Sequence, residues 1–126
     1  MSDQVTLTLP RERPFFAVAR LVLGGLAARL DVTVEHLEDL ELALDGLLER
    51  RDSGEQINVV FRADGDELQA RIGPFHGGRL RAELEGEPGE SISLRRLLDT
   101  VVDHYEVSSG DDGDWIELGK RVQRTA

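Results

Sequence analysis

Cysteine is absent from the 126 residues, which excludes disulfides and thiolate metal ligands. Aromatic residues are scarce, with four Phe, one Trp and one Tyr, so the core has to be built mainly from Leu, Val and Ala. Basic residues are outnumbered: 15 Lys and Arg face 25 Asp and Glu, and the net charge of −10 opposes approach to DNA, RNA or an anionic bilayer. Neither nucleic acid nor membrane is an expected partner. Long apolar runs are missing too. The longest is broken by Arg20, Arg29 and Asp31, and the opening MSDQVTLTLP lacks the basic and apolar blocks of a secretion signal. The expected location is the cytoplasm.

What remains is enough for one domain, residues 1–126, with a sizeable aliphatic core. In QVTLTLP, Val5, Leu7 and Leu9 alternate with polar residues, which predicts a half-buried strand ending at Pro10. Phe15, Val18, Ala19, Val22, Leu26 and Leu30 recur at helical spacing, and the pair Gly24-Gly25 suggests close packing of that helix against another element. A second helix is capped by Asp31 or Thr33. Its stripe is Val34, Leu37, Leu40, Leu44, Leu47 and Leu48, its outer side is acidic through Glu35, Glu38, Asp39, Glu41 and Asp45, and Arg50 and Arg51 bring positive charge to its end.

INVVFRADGDELQARI predicts a hairpin turning at Asp64-Gly65. The stretch from Pro74 to Ser91, rich in Gly and Pro, is compatible with a strand, a helical turn or a loop. From Ser91 or Ser93 a third helix places Leu94, Leu97, Leu98, Val101 and Val102 on one face, and YEVSSGDDGDWIELGK forms a second hairpin. Paired helices between antiparallel strands can cover one sheet face only. The expected fold is a two-layer α/β sandwich with a mixed, mostly antiparallel sheet covered on one face by about three helices.

Three segments carry a resemblance: LTLPRERPFFAVARLVLGGLAARL, TVEHLEDLELAL, and LRRLLDTVVDHYEVSSGDDGDWIELGKR. In that order they are similar to the anti-sigma-factor serine kinases of the RsbW and SpoIIAB type, a branch of the histidine-kinase-like ATPase fold. The resemblance covers nearly the whole chain. It implies a helix motif in which a glutamate acts as general base and an asparagine four residues later holds magnesium, and these positions are Gly46 and Arg50 here. Glycine has no proton acceptor, and a guanidinium cannot coordinate Mg²⁺. Asp45 lies one residue earlier, but one helical step turns a side chain by about 100°. The resemblance also implies an aspartate that reads adenine, followed by glycines; Pro74 takes the aspartate's place, His76 lies near the first glycine, and Gly77 and Gly78 read as a remnant or as a plain turn. Arg20 matches the arginine that faces the partner protein in the family.

His36, His76 and His104 lack partners at metal-ligand spacing, and DDGD at Asp111 to Asp114 suits a hairpin turn better than a calcium loop. Trp115 suits a partner anchor or a core position equally. The expectation is a regulatory protein-binding domain that has lost ATP binding and kinase activity, with no catalytic residue, metal or cofactor. Asp45, Gly46, Arg50, Pro74, His76, Gly77 and Gly78 are then vestigial pocket positions. Its partner is a sigma factor or an anti-anti-sigma domain, bound through Arg20, and the protein itself is a possible homodimer. The alternative is an ATP-binding anti-sigma serine/threonine kinase with an unconventional nucleotide site that uses Asp45 and the His76-Gly77-Gly78 turn. A third reading is a structural subunit that dimerises through its sheet.

Overall fold

The computed structural model describes residues 3–50, 52–85 and 94–122. Five strands form one sheet: β1 (Asp3–Pro10), β2 (Gln56–Asp64), β3 (Glu67–Phe75), β4 (His104–Gly110) and β5 (Gly113–Arg121). Their order is β1-β2-β3-β5-β4, and every neighbouring pair is antiparallel. Four helices are described: α1 (Arg13–Arg29), α2 (Val34–Leu48), α3 (Arg79–Glu85) and α4 (Leu94–Val101). The expected two-layer α/β sandwich is present, with a sheet that is wholly antiparallel and a fourth helix in the segment left open.

Alternation sorts the sheet into two faces. Ile57, Val59, Phe61, Leu68, Ala70, Ile72, Ile116 and Leu118 point into one buried core with the helices. Asn58, Arg62, Gln69, Arg71 and Glu117, one step out of phase, belong to the opposite face. There Trp115 lies beneath the guanidinium of Arg71, 4.6 Å from its ring centre, and its indole N–H donates to Asp112 Oδ1 at 3.0 Å. Trp115 therefore covers the outer face of the sheet and does not enter the core. Tight turns close both hairpins, with Gly65 at φ 62° in the first, a conformation that glycine adopts at little cost.

The helices depart from the sequence reading in register and extent. In α1 the buried set is Phe16, Ala19, Leu23, Leu26 and Ala27, while Phe15, Val18 and Leu21 are exposed, Leu21 by 75%. Of the expected stripe, Ala19 and Leu26 are buried and Val22 and Leu30 pack against the core, while Phe15 and Val18 face outward; α1 has no acidic residue to mark its outer side. Gly24 and Gly25 have open space where a side chain would begin, so no element packs closely on them. Thr33 caps α2, its hydroxyl accepting from the His36 N–H at 3.5 Å. Val34 is exposed, and the buried side of α2 is Leu40, Ala43, Leu44, Leu47 and Leu48. The helix stops at Leu48, so Arg50 lies beyond its last turn. Arg51, the cap position at Ser91 or Ser93, and the rest of residues 86–93 lie outside the described residues.

Candidate functional site

The α2 positions that the family would use for chemistry point to two different neighbours. A Cβ on Gly46 would come within 2.8 Å of Leu97 Cδ2 and 3.4 Å of Leu94 Cδ1, so this side of α2 is packed against aliphatic side chains of α4. Asp45, one helical step away, instead forms an ion pair with Arg20 of α1 at 2.7 Å. Arg50 is paired with Glu83 of α3, whose other carboxylate oxygen accepts the Leu94 N–H at 3.2 Å. Glu83 thus links the end of α2, α3 and the start of α4. An arginine held in this way offers no oxygen to a hard cation, and the residues at this position do not fit magnesium. Among the described residues no group of three or more His, Asp or Glu is arranged to hold a metal ion.

Pro74 brings no side-chain acceptor to the end of β3, but its carbonyl accepts a hydrogen bond from the Arg11 guanidinium. Gly77 and Gly78 follow with φ of 78° and 70°, forming a left-handed turn that leads into α3. His76 does not accompany Asp45. Its partner is Asp52, in the loop between α2 and β2.

That corner contains the most buried polar cluster of the site. The Asp52 side chain is 2% exposed, and its oxygens accept the Gly54 N–H at 2.9 Å, the His76 N–H at 2.7 Å and His76 Nδ1 at 2.6 Å. Arg11, 9% exposed, places a guanidinium nitrogen 3.6 Å from the same carboxylate, donates Nε to Gln56 O at 3.2 Å, and lies over the Phe75 ring. Burial pushes the Asp52 carboxyl upward. The hydrogen bonds from His76 and Gly54, with the charge of Arg11, outweigh that and hold it below its ordinary value. Burial lowers the Arg11 guanidinium, opposed by Asp52. One cleft of about 270 Å³ opens on the α1–α2 side of this corner, with Arg11, Arg13 and Arg50 in its wall. A second, of about 320 Å³, opens on the β3 side and is lined by Asp52, Ser53, His76, Gly77 and Arg79.

Asp52, Arg11 and Glu83 were not singled out by the sequence reading. Asp-Ser-Gly after an amphipathic helix signals a turn, and nothing local indicates that this aspartate will meet a histidine 24 residues later.

Along its length α1 carries Arg13, Arg20 and Arg29 and no acidic residue, and it leaves Phe15, Val18 and Leu21 exposed. The Arg20–Asp45 pair joins this surface to α2. No helix among the described residues is long and apolar enough to cross a membrane.

The serine-protein kinase RsbW of Listeria monocytogenes serotype 4a (strain HCC23) is 31% identical to this chain over 127 residues, covering 94% of the chain and 70% of the relative. This chain belongs to the RsbW family of anti-sigma-factor serine kinases. The serine-protein kinase RsbW of Bacillus cereus (strain B4264) is 21% identical over 145 residues, covering 97% of the chain and 87% of the relative. No family model matches the chain. In fold, it is similar to the crystal structure of the RsbU and RsbW domains of a Mycobacterium tuberculosis protein, with a TM-score of 0.70 and 17% identity. That match covers 98% of this RsbW-family chain, which spans only 33% of the mycobacterial one.

The expectation of a chain without enzymatic activity is corrected by these relatives. They are serine-protein kinases, which points toward kinase activity. Substitution at three motif positions, Gly46, Arg50 and Pro74, does not equate with lost chemistry, because a fold can bring other titratable groups to the same end of the molecule.

Proposed function

We propose that this chain is an anti-sigma regulator that binds a sigma factor or an anti-anti-sigma domain, and that it transfers phosphate from ATP to a hydroxyl side chain of its partner at an unconventional nucleotide site. The observation that carries the partner half of this reading is α1 itself, which carries three arginines and no acid and leaves Phe15, Val18 and Leu21 exposed, in a chain of net charge −10. Arginine and large apolar groups are the residue types that dominate binding energy at protein interfaces. Arg20 is the residue we assign to partner contact.

The nucleotide half is supported by the kinase relatives and by the two clefts that meet at Asp52, with Arg11, Arg13 and Arg50 in the wall of one and Arg79 in the wall of the other. Guanidinium groups meet phosphate oxygens in a bidentate manner, a means of neutralising a polyphosphate that does not depend on the asparagine position. Calorimetry with purified anti-anti-sigma domain and sigma factor from the same cell, followed by incubation with γ-labelled ATP, tests both halves. The expected result is a complex weakened tenfold or more by Arg20→Ala, with label on a seryl or threonyl residue of the partner. Absence of both complex and label would remove the reading.

A further inference from the structure

The Asp52–His76 pair has a geometry that a loop staple does not need. Asp52 is ionised at neutral pH and can only accept hydrogen bonds, so the 2.6 Å contact requires His76 Nδ1 to carry the proton. In the neutral ring the lone pair then resides on Nε2. That atom has no hydrogen-bond partner among the described residues, and the side chain is 35% exposed on the wall of the 320 Å³ cleft.

Two glycines make room for the ring. A Cβ on Gly54 would approach His76 Cε1 to 2.8 Å, and one on Gly113 would reach Cδ2 at 3.4 Å. Arg79 lines the same cleft and makes no ion pair among the described residues, although the chain is rich in carboxylates. An oriented imidazole beside an uncompensated guanidinium is the combination that a hydroxyl nucleophile and a phosphoryl group require.

We propose that His76 is the general base of seryl phosphorylation in this chain, with Asp52 as its positioning residue and Arg79 facing the transferred phosphoryl group. The proposal rests on the kinase reading above and supplies that reading with a base. Gly46 has no acceptor, and Asp45 is held by Arg20 on the α1 side. In the reaction His76 Nε2 takes the proton of the seryl hydroxyl as the seryl Oγ–phosphorus bond forms. The bond from that phosphorus to the bridging oxygen of the nucleoside triphosphate breaks, and its electron pair leaves with the nucleoside diphosphate. The imidazolium then returns its proton to solvent. The reactive atom is the unprotonated Nε2, whose lone pair receives the seryl proton.

The test compares the whole chain with His76→Gln and Asp52→Asn, using ATP as donor and an anti-anti-sigma domain from the same cell as acceptor. Release of phosphate from ATP to water serves as a second, acceptor-independent rate. Gln keeps an N–H for Asp52 but lacks a basic nitrogen. His76→Gln is expected to lower both rates about 100-fold or more, with the ATP-induced thermal shift and the urea midpoint retained. Asp52→Asn should lower kcat while leaving KM for ATP in place, since the ring loses the carboxylate that fixes its Nδ1 proton. If His76→Gln transfers phosphate at the wild-type rate, or loses ATP binding together with turnover, the base assignment falls while the kinase reading stands. A wild-type chain that binds its partner but turns over no ATP overturns both.

Discussion

Two Arg–Asp pairs mark the two candidate surfaces. Arg20 and Asp45 approach to 2.7 Å and remain 38% and 35% exposed, whereas Arg11 and Asp52 stand 3.6 Å apart and are 9% and 2% exposed. Distance alone ranks the surface pair first. Burial reverses the order, because an exposed pair gives up hydration and side-chain freedom for an attraction that water screens, and it is worth roughly 0–1 kcal/mol. Asp52 has no such exchange with water. Its charge has to be satisfied inside the protein, and three N–H donors together with a guanidinium do that. The shorter bridge is thus available for exchange with a partner, while the longer one holds a corner of the fold.

The largest expected effect lies at that corner. Asp52→Ala leaves the His76 and Gly54 N–H groups without their acceptor and the buried Arg11 without its counter-charge, at a cost of about 3–5 kcal/mol by the precedent of broken buried pairs. Urea unfolding at neutral pH measures it. The same side chain sets an acid limit. Folding holds its carboxyl below the ordinary value of 3.8, so its stabilising contribution is present above about pH 4 and is lost as pH falls through the depressed folded-state value. Urea midpoints taken from about pH 6 downward should fall more steeply for wild type than for Asp52→Asn. A similar loss for Asp52→Ala and Asp45→Ala would erase the distinction between the two pairs.

The comparison also shows where a sequence is legible. Both hairpins were readable because alternation and Asp-Gly turns are local signals, and the one-sided helix layer followed from element order. The face of α1 was not, since Phe15 and Phe16, or Val22 and Leu23, satisfy the same spacing one step apart. Only packing against the sheet chooses between them. The surface pair was half visible, with Arg20 marked by the family resemblance and Asp45 by its place on α2. Of the buried corner only His76 was marked, because its members come from the turn before α1, the start of β2, the end of β3 and the loop after α2. Its chemistry exists only after the sheet registers are set.

A smaller effect sharpens the contrast on the surface side. Gly24 and Gly25 lie within α1, one turn beyond Arg20, with open space at the position of a side chain. Replacing either by Ala removes backbone freedom from the unfolded chain and should raise stability by about 0.5–1 kcal/mol. Thermal unfolding measures the gain. If the partner docks on this face, the added methyl groups stand in its path, so calorimetry should show weaker binding by a more stable protein. Reduced stability would mean that these glycines are needed for a packing contact after all.

The smallest expected effect is the most informative about Arg20. Asp45→Asn removes the charge but keeps the side chain's size, and the exposed pair it breaks should cost no more than about 1 kcal/mol, less at high salt. Stability therefore barely changes, while Arg20 is freed from a competing carboxylate. A partner that presents its own carboxylate to Arg20 should then bind equally well or a few-fold more tightly, in contrast to the loss expected for Arg20→Ala. The two variants break the same 2.7 Å bridge from opposite ends, so a structural bridge makes them fail together and a binding arginine makes them diverge. Paired urea and calorimetric titrations of both variants separate these cases, and a loss of several kcal/mol in Asp45→Asn would assign the bridge to the fold and withdraw Arg20 from the interface.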